Sequence, residues 1–439
     1  MALHNLWHLF NLRESPYFQQ DLQASGAARY PIDLFVGRDQ EAARLINVIA
    51  GSSSSRQTIE GLPGFGKTTL AQRVKAEAAP AGYVSYPVPV SAAGTDTPDA
   101  LLVRLLSYVY EALASQVGHA VLADPLLETA RRLVRDTRVK DVKVAAQVAG
   151  FGLEGEVTRR TETASFHSAL LAVPPLLRDL ARVAQKHGIR GVIVHLNNLE
   201  NLVSDRERST AGAVLRDLRD IFLFEGYHYL LVGTPEAVRA IVSPHAQLRS
   251  VFGLGRALEP LPGDSFQALL SRRYSFLRLE KGREVNAPIS HDAARELYRQ
   301  FRGDLRGTLR ALDAAAHELI GYTDPPGAPI QLSALMEVVV PMLQTEADAV
   351  LSGTLLDYFY ALRELGDRLF TQAELMQLWG LSQGTVSQNV NELQRLGYLQ
   401  EYRREGRRVW YGFTGTSRLV LQVGSGGGGD LPALADRAG

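Results

Sequence analysis

A glycine-rich loop between residues 61 and 68 constrains this chain more than any other feature. The surrounding segment 56–78 reads RQTIEGLPGFGKTTLAQRVKAEA, which predicts a brief strand, a loop and a helix. The loop matches G-x-x-x-x-G-K-[ST] at every fixed position, from Gly61 to Lys67 and Thr68. A purely structural turn is the alternative, but it leaves the register of both Lys67 and Thr68 unexplained. The sequence therefore predicts a nucleoside triphosphate site.

Each part of this loop has a chemical role in phosphate binding. Glycines allow backbone N–H groups to wrap the phosphates, and a helix amino terminus favours anions. We expect Lys67 to reach the β- and γ-oxygens of ATP and Thr68 to offer a hydroxyl to Mg²⁺. The predicted nucleotide contacts are Gly61, Pro63, Gly64, Phe65, Gly66, Lys67, Thr68 and Thr69.

Length and composition limit the remaining choices. A chain of 439 residues predicts two or three domains, and 47 basic against 47 acidic residues give no net attraction to nucleic acid. The absence of cysteine excludes disulfides and thiolate metal sites and favours a reducing compartment. No apolar run approaches about 18 residues, and the amino terminus lacks the apolar core of a signal peptide. We expect a soluble, cytoplasmic protein without membrane contact.

Alternating helices and apolar strands follow the loop. Strand-forming stretches at 191–202 and 227–236 alternate with helices at 166–187 and 208–224, which predicts a parallel sheet covered by helices. Residues 140–160 predict an inserted hairpin, which either covers the core or contacts a subunit or DNA. The predicted units are an amino-terminal segment (1–34), an α/β core (35–258), a helical lid (259–320), a linker (321–343), a helix-turn-helix unit (344–422) and a disordered tail (423–439).

Residues 370–414 have the pattern of a winged helix-turn-helix. A first helix, a turn at Gly380 and a second helix are followed by a hairpin. The second helix presents polar residues that suit base edges or phosphates, and the hairpin, or wing, carries arginines that can neutralise phosphates locally. The predicted DNA contacts are Gln383, Thr385, Ser387, Gln388, Asn389, Arg403, Arg404, Arg407 and Arg408. A protein-contact role is the alternative, because winged helices also bind proteins.

The order of these segments resembles that of AAA+ ATPases, particularly the origin-recognition initiator-like group and related bacterial STAND-type ATPases. The resemblance implies a P-loop α/β core with a parallel sheet, a helical lid and a carboxy-terminal winged helix. Similarity of FVGRDQEAARL (35–45) to the adenine-side motif implies base contacts by Val36, Gly37 and Arg38. LLVGTPE (230–236) resembles a sensor-1 strand end, which places Thr234 near the γ-phosphate, and FRGDLRGTLRAL (301–312) resembles a sensor-2 helix, which directs Arg306 at the phosphates.

The strand GVIVHLNNLENL (191–202) departs from the resembled pattern. Asn197 and Asn198 occupy the two places where the family carries acidic Walker B residues, and Glu200 follows two positions later. An amide is neutral and cannot act as a base at neutral pH. Three interpretations remain: a slowly hydrolysing switch, a site rescued by Glu200, or a variant that uses another acid. The arginine finger is also open, because Arg249 and Arg256 both lie near the family position.

These features predict an ATP-dependent, DNA-binding AAA+ switch that binds ATP or ADP with Mg²⁺, docks on duplex DNA and oligomerises with nucleotide. The resemblance implies an ATPase, but hydrolysis is in doubt because Asn197 and Asn198 replace the acidic Walker B residues of the family. One alternative is a STAND-type signalling or defence ATPase whose winged helix contacts a partner protein. Another is a transcription regulator whose core only senses ATP.

Overall fold

The computed structural model of the protein describes most of the chain. The described residues are 5–20, 22–23, 29–116, 124–135, 171–202, 204–253, 255, 257–320, 327–351, 353–406 and 408–423, without the side chains of Gln116, Glu200 and Asp205. The predicted hairpin at 140–160 and nearly all of the predicted tail lie outside this part of the chain.

A parallel sheet forms the centre of the amino-terminal half. Its strands are β1 Ser55–Gly61, β2 Tyr83–Val84, β3 Val90–Ser91, β4 Gly191–Asn197, β5 Tyr227–Gly233 and β6 Ala257–Leu258. The order is β2-β4-β5-β1-β6, and the short β3 pairs with the carboxyl end of β4. All pairs are parallel, with Gln57 opposite Leu230 and Val194 opposite Tyr229. The β5 strand therefore lies between the phosphate-loop strand and the strand that ends in Asn197.

Helices cover both faces of this sheet. They are α1 Asp39–Ala50, α2 Lys67–Ala78, α3 Pro98–Gln116, α4 125–135, α5 Val173–Lys186, α6 Asp205–Asp217, α7 Arg219–Phe222, α8 Pro235–Val242 and α9 Ala246–Arg249. Alternate residues of each strand point to opposite faces. Ile193 packs with α1 and α2 in one apolar cluster, whereas Val192 and Val194 pack with α3 and α5 in another. Both strands β4 and β5 are fully buried.

The lid and the carboxy-terminal unit share a single hydrophobic core. The lid helices are α10 Gly263–Leu277, α11 His291–Gln300 and α12 Leu305–Leu319, and the long α13 Leu332–Val350 follows them. Buried residues of α12, α13 and the helix-turn-helix belong to the same apolar cluster, which also includes Trp7 and Tyr17 of the amino-terminal segment. The α13 helix runs through the second half of the predicted linker, so packed structure joins the two units there.

The carboxy-terminal unit is a winged helix. Its elements are α14 Thr354–Ala361, β7 Phe370–Thr371, α15 Gln372–Trp379, α16 Gln383–Arg395, β8 Leu399–Glu405, β9 Arg408–Phe413 and α17 Gly415–Leu421. Thr371 and Glu374 form a capping box that starts α15, and Gly380, with a φ of 64°, ends it. The three strands form an antiparallel sheet in the order β7-β9-β8. Both halves of the chain thus have the predicted α/β and winged-helix architecture.

Candidate functional site

The phosphate loop joins the end of β1 to the start of α2. Gly64 and Gly66 have positive φ values of 78° and 80°, which glycine adopts without a side-chain clash. The Lys67 side chain is buried, and its Nζ donates a hydrogen bond to the carbonyl oxygen of Leu62 at 3.2 Å. The loop therefore has the curvature that turns backbone N–H groups towards an anion, with the lysine folded across it.

Asn197 lies beside the threonine of this loop. Its Nδ2 donates a hydrogen bond to Thr68 Oγ1 at 3.3 Å, although 129 residues separate them in sequence. Asn197 is 6% exposed, and its Oδ1 is buried without a hydrogen-bond partner among the described residues. Asn198 has a left-handed backbone with a φ of 68°, and its Nδ2 donates to Ser91 Oγ at 3.0 Å. The end of β4 thus presents the Asn197 amide to Thr68, and among the described side chains no carboxylate of this segment contacts that hydroxyl.

Further polar side chains lie near Asn197 in the core, at positions where no site was expected. His195 is fully buried, and neither ring nitrogen has a hydrogen-bond partner among the described residues. Lys75 of α2 is also buried, and its Nζ donates to the carbonyl oxygen of Tyr86 at 2.8 Å. Burial lowers the pKa of Lys75 to about 7, and burial together with the Lys75 charge lowers the pKa of His195. The sequence signal that could have predicted this buried polar group is helical spacing, which puts Thr68, Gln72 and Lys75 on one face of α2.

Two carboxylates lie close to the loop, the buried Glu60 and the half-buried Asp304, and neither comes from the predicted position. Glu60 precedes Gly61 and accepts hydrogen bonds from Thr58 Oγ1 at 2.9 Å and from the backbone N–H of Gly255 at 3.1 Å. Asp304 begins the lid helix α12 and accepts from the Gly307 N–H at 3.1 Å. Burial raises the pKa of both carboxyl groups. Glu200 lies in a 3-10 turn at Leu199–Asn201, and its side chain is outside the described part.

The two predicted sensor residues lie in different environments. Thr234 follows β5 and caps α8 by accepting a hydrogen bond from the Ala237 N–H at 3.2 Å. This is the geometry of a helix cap at the edge of the sheet where β1 and β4 also end. Arg306 is exposed in the first turn of α12 and forms no ion pair within the described residues. The loop and the lid helix that carries Arg306 meet, because the Leu305 N–H donates to the Gly64 carbonyl oxygen at 3.3 Å.

The predicted adenine-side segment lies between the loop and the start of the lid. Arg38 is buried with a left-handed φ of 65°, and it donates to the Phe65 carbonyl oxygen at 3.4 Å and to the Glu259 carbonyl oxygen. A Cβ atom on Gly37 would lie 3.0 Å from Leu261 Cδ2. Val36 packs against the lid core. Arg38 therefore links the phosphate loop to the segment at Glu259 that leads into the lid.

The predicted DNA-reading helix presents most of its polar residues to solvent. Gln383, Thr385 and Gln388 are exposed, whereas Ser387 and Asn389 are half-buried. Val386, Val390 and Leu393 face the core on the other side of α16, which fixes this orientation.

The described arginines of the wing are in two different settings. Arg403 and Arg408 both stack on Trp410, with guanidinium carbons 5.2 and 4.9 Å from the ring centre. Arg403 also pairs with Glu405. Arg404 instead makes a bidentate pair with Glu401 at 2.9 and 2.7 Å, and that hydrogen-bonded carboxylate raises the pKa of Arg404 further. Arg407 lies outside the described residues, as does Arg256, while Arg249 is exposed and donates to the Ser243 carbonyl oxygen.

The described residues lack both a membrane-spanning helix and a cluster of metal-binding side chains. They contain no helix that is long and apolar enough to cross a membrane. They also contain no group of three or more histidine or acidic side chains that could hold a metal ion.

These features define the class of the protein: a P-loop α/β core with a helical lid and a winged helix. Residues 352–408 match the model of the MarR family, within the winged helix. No curated protein matches the chain.

Solved structures with similar folds cover almost the whole chain. The ORC1 protein of Aeropyrum pernix, solved in complex with DNA, is 14% identical over 88% of this chain and 93% of its own, with a TM-score of 0.43. A Walker-type ATPase of Pyrococcus abyssi is 10% identical over 93% of this chain and 100% of its own, with a TM-score of 0.49. The ORC2 protein of Aeropyrum pernix, in complexes with ADPNP and ADP, is 14% identical over 93% of this chain and 96% of its own, with a TM-score of 0.46. The fold class rests on the strand order and the phosphate loop of this chain itself.

Proposed function

We propose that this protein is an ATP-binding switch of the AAA+ type that docks on duplex DNA through its winged helix and hydrolyses ATP slowly. The observation that carries the proposal is the hydrogen bond of 3.3 Å between Asn197 and Thr68, beside a complete phosphate loop. It supports the placement of Asn197 at the Walker B position. The loop would hold the triphosphate, and a neutral amide stands where an acid would normally assist hydrolysis.

The residues present fit a nucleotide with a weakly held metal. Lys67 and the backbone of Gly64 to Thr68 suit the phosphates, and Thr68 Oγ1 with the unpartnered Oδ1 of Asn197 gives two neutral oxygens for Mg²⁺. Mg²⁺ supplies charge neutralisation at the β- and γ-phosphates. Asn197 and Asn198 can orient water by hydrogen bonding, but neither can accept its proton. Binding without fast hydrolysis follows from this set of side chains.

The winged helix supports the DNA part of the proposal. The exposed polar face of α16 and the two arginines stacked on Trp410 suit a duplex, with side chains for base edges and cations for phosphates. Nucleotide-linked oligomerisation, with an arginine finger from a neighbouring protomer, belongs to the same proposal. We place the protein in the cytoplasm.

One observation favours a second function, a STAND-type switch whose winged helix contacts a protein. Arg403 and Arg404 are paired with Glu405 and Glu401, so acids offset part of the positive charge of the wing. A surface of mixed charge with a stacked tryptophan also suits a protein partner.

Fluorescent ATP-analogue binding and duplex binding at several salt concentrations test the two functions. We expect Lys67→Ala to abolish nucleotide binding and Arg408→Ala to reduce the salt slope of duplex binding by about one. Arg182→Ala, which removes an exposed paired arginine of α5, is the matched control and should leave both unchanged. Absence of duplex binding with and without ATP would refute the DNA function and leave the protein-contact function standing.

A further inference from the structure

The loop from Phe301 to Leu305 touches the phosphate loop at one end and the winged helix at the other. At its carboxyl end, the Leu305 N–H donates to the Gly64 carbonyl oxygen at 3.3 Å. A Cβ atom on Gly64 would lie 2.7 Å from Asp304 Cγ and 3.1 Å from Asp304 Cα. The carboxylate of Asp304 is therefore packed directly against the phosphate loop.

The amino end of the same loop is bonded to the winged helix. Arg302, with a left-handed φ of 52°, pairs with Asp367 and donates to the Tyr402 hydroxyl at 2.9 Å. Arg418 of α17 pairs with the other oxygen of Asp367 at 2.7 Å. The backbone is equally close, since a Cβ atom on Gly415 would lie 2.6 Å from the carbonyl carbon of Phe301. The amino end of this loop is therefore in direct contact with the winged helix through both side chains and backbone.

The Arg302–Asp367–Arg418 group is well enclosed. The side chains of Asp367, Arg302 and Arg418 are 17%, 16% and 6% exposed. Partly buried ion pairs are screened less by salt than exposed pairs are, and loss of one member leaves a buried charge without its partner. Asp367 is the only carboxylate between the two arginines in the described ion pairs, so it is the residue whose removal loosens this contact.

The carboxylate at Gly64 conflicts electrostatically with phosphate binding. A phosphate loop attracts anions through N–H groups and a helix amino terminus, and Asp304 already places an anionic group against it. Negative phosphates at the same loop would repel this carboxylate. With the lid in its present position, the Asp304 carboxylate and a bound triphosphate would place negative charges side by side at the phosphate loop.

We propose that Asp304 competes with nucleotide phosphates at the phosphate loop, so that nucleotide binding displaces Asp304 and moves the winged helix attached through Asp367. This inference rests on the proposed nucleotide site. It goes further by identifying Asp304 as an internal competitor and Asp367 as the positioning residue that links the lid to the winged helix.

The first test is nucleotide affinity. Asp304→Asn retains an N-capping side chain and removes the charge, so we expect it to bind a non-hydrolysable ATP analogue about tenfold more tightly. Asp264→Asn, at the exposed start of α10, is the matched control and should bind as the wild type does. Equal affinity of Asp304→Asn and wild type overturns the competition.

The second test is hydrogen exchange of the winged-helix backbone with and without the same analogue. We expect the analogue to change the exchange of residues 399–405 and 415–421 in the wild type, and Asp367→Asn to lose most of that change while its nucleotide affinity stays within about twofold. Unchanged exchange in the wild type at saturation overturns the coupling, whether or not the Asp367 variant folds. If Asp304→Asn binds the analogue and the wild type does not, the inference is supported. If neither Asp304→Asn nor the wild type binds it, the inference and the nucleotide site are both refuted.

Discussion

Replacement of Asn197 by aspartate tests the placement of the metal site most directly. The side chain is 6% exposed, lies 3.3 Å from Thr68 Oγ1 and has an unpartnered Oδ1, so a carboxylate fits the space without a new cavity. Without nucleotide, the variant loses the Asn197 donor and buries a charge. We expect this change to reduce the free energy of unfolding by about 1–3 kcal/mol.

When Mg²⁺ and nucleotide are bound, the Asn197→Asp carboxylate should be favourable instead of destabilising. A carboxylate about 4 Å from a divalent cation gains roughly 8 kcal/mol at an effective dielectric constant of about 20, and desolvation offsets most of it. A net gain of roughly 1–3 kcal/mol corresponds to an increase of about five- to 150-fold in Mg²⁺-supported nucleotide affinity.

The assay is ATP-analogue titration with Mg²⁺ and with EDTA, together with thermal unfolding under the same conditions. Asn47→Asp, on the exposed side of α1, makes the same chemical change away from the site and is the control. If EDTA weakens binding equally in wild type and Asn197→Asp, then Asn197 does not face the metal and our placement of β4 is wrong.

Three other predictions concern hydrolysis, pH and packing. We expect Asn197→Asp combined with Asn198→Glu to raise the ATP turnover rate by about 10²-fold or more, because a general base contributes roughly 10²–10⁴; a steady-state phosphate-release assay with Lys67→Ala as the blank decides this. Burial lowers the pKa of Lys75 to about 7, whereas its unfolded pKa is about 10.4. Between these two pH values unfolding takes up a proton, so the free energy of unfolding should rise with pH across this window. Urea unfolding between about pH 7.5 and 9.5 should show a rise of up to about 1.4 kcal/mol per unit that Lys75→Met lacks, and equal slopes would contradict the burial of Lys75. Phe370 is fully buried in the winged helix, so Phe370→Ala should cost about 3–5 kcal/mol by urea unfolding, whereas a loss below about 1 kcal/mol would mean that this core is not packed as described.

Local elements could be predicted from the sequence because their determinants are contiguous. The phosphate loop needs eight consecutive positions, and the winged helix needs a helix, a glycine turn, a second helix and a hairpin in order. The predicted fold class is confirmed for the described residues, although helix ends moved: the predicted helix 208–224 is two helices, Asp205–Asp217 and Arg219–Phe222. Helix ends depend on capping contacts, which periodicity alone does not fix.

The assignment of Asn197 depended on both sources. The sequence supplied a strand that ends in amides, and the resemblance suggested its place. Only the parallel sheet put that strand end beside Thr68, because the carboxyl ends of β1, β5 and β4 meet at one edge. The roles assigned to Glu200, Thr234 and Arg306 stay predictions.

Tertiary structure alone decided which charges lie near the phosphate loop and which arginines are paired. Asp304 is 240 positions from Gly64, and Arg302 is 65 from Asp367, so no periodicity or motif relates them. Such contacts arise when separate segments pack, and burial then selects the pairs that satisfy their charges and hydrogen bonds. The sequence by itself determined the loop that we propose binds phosphates and the helix that we propose contacts DNA. The packed lid determined that an aspartate lies against that loop and that the winged helix is fastened to the same five residues.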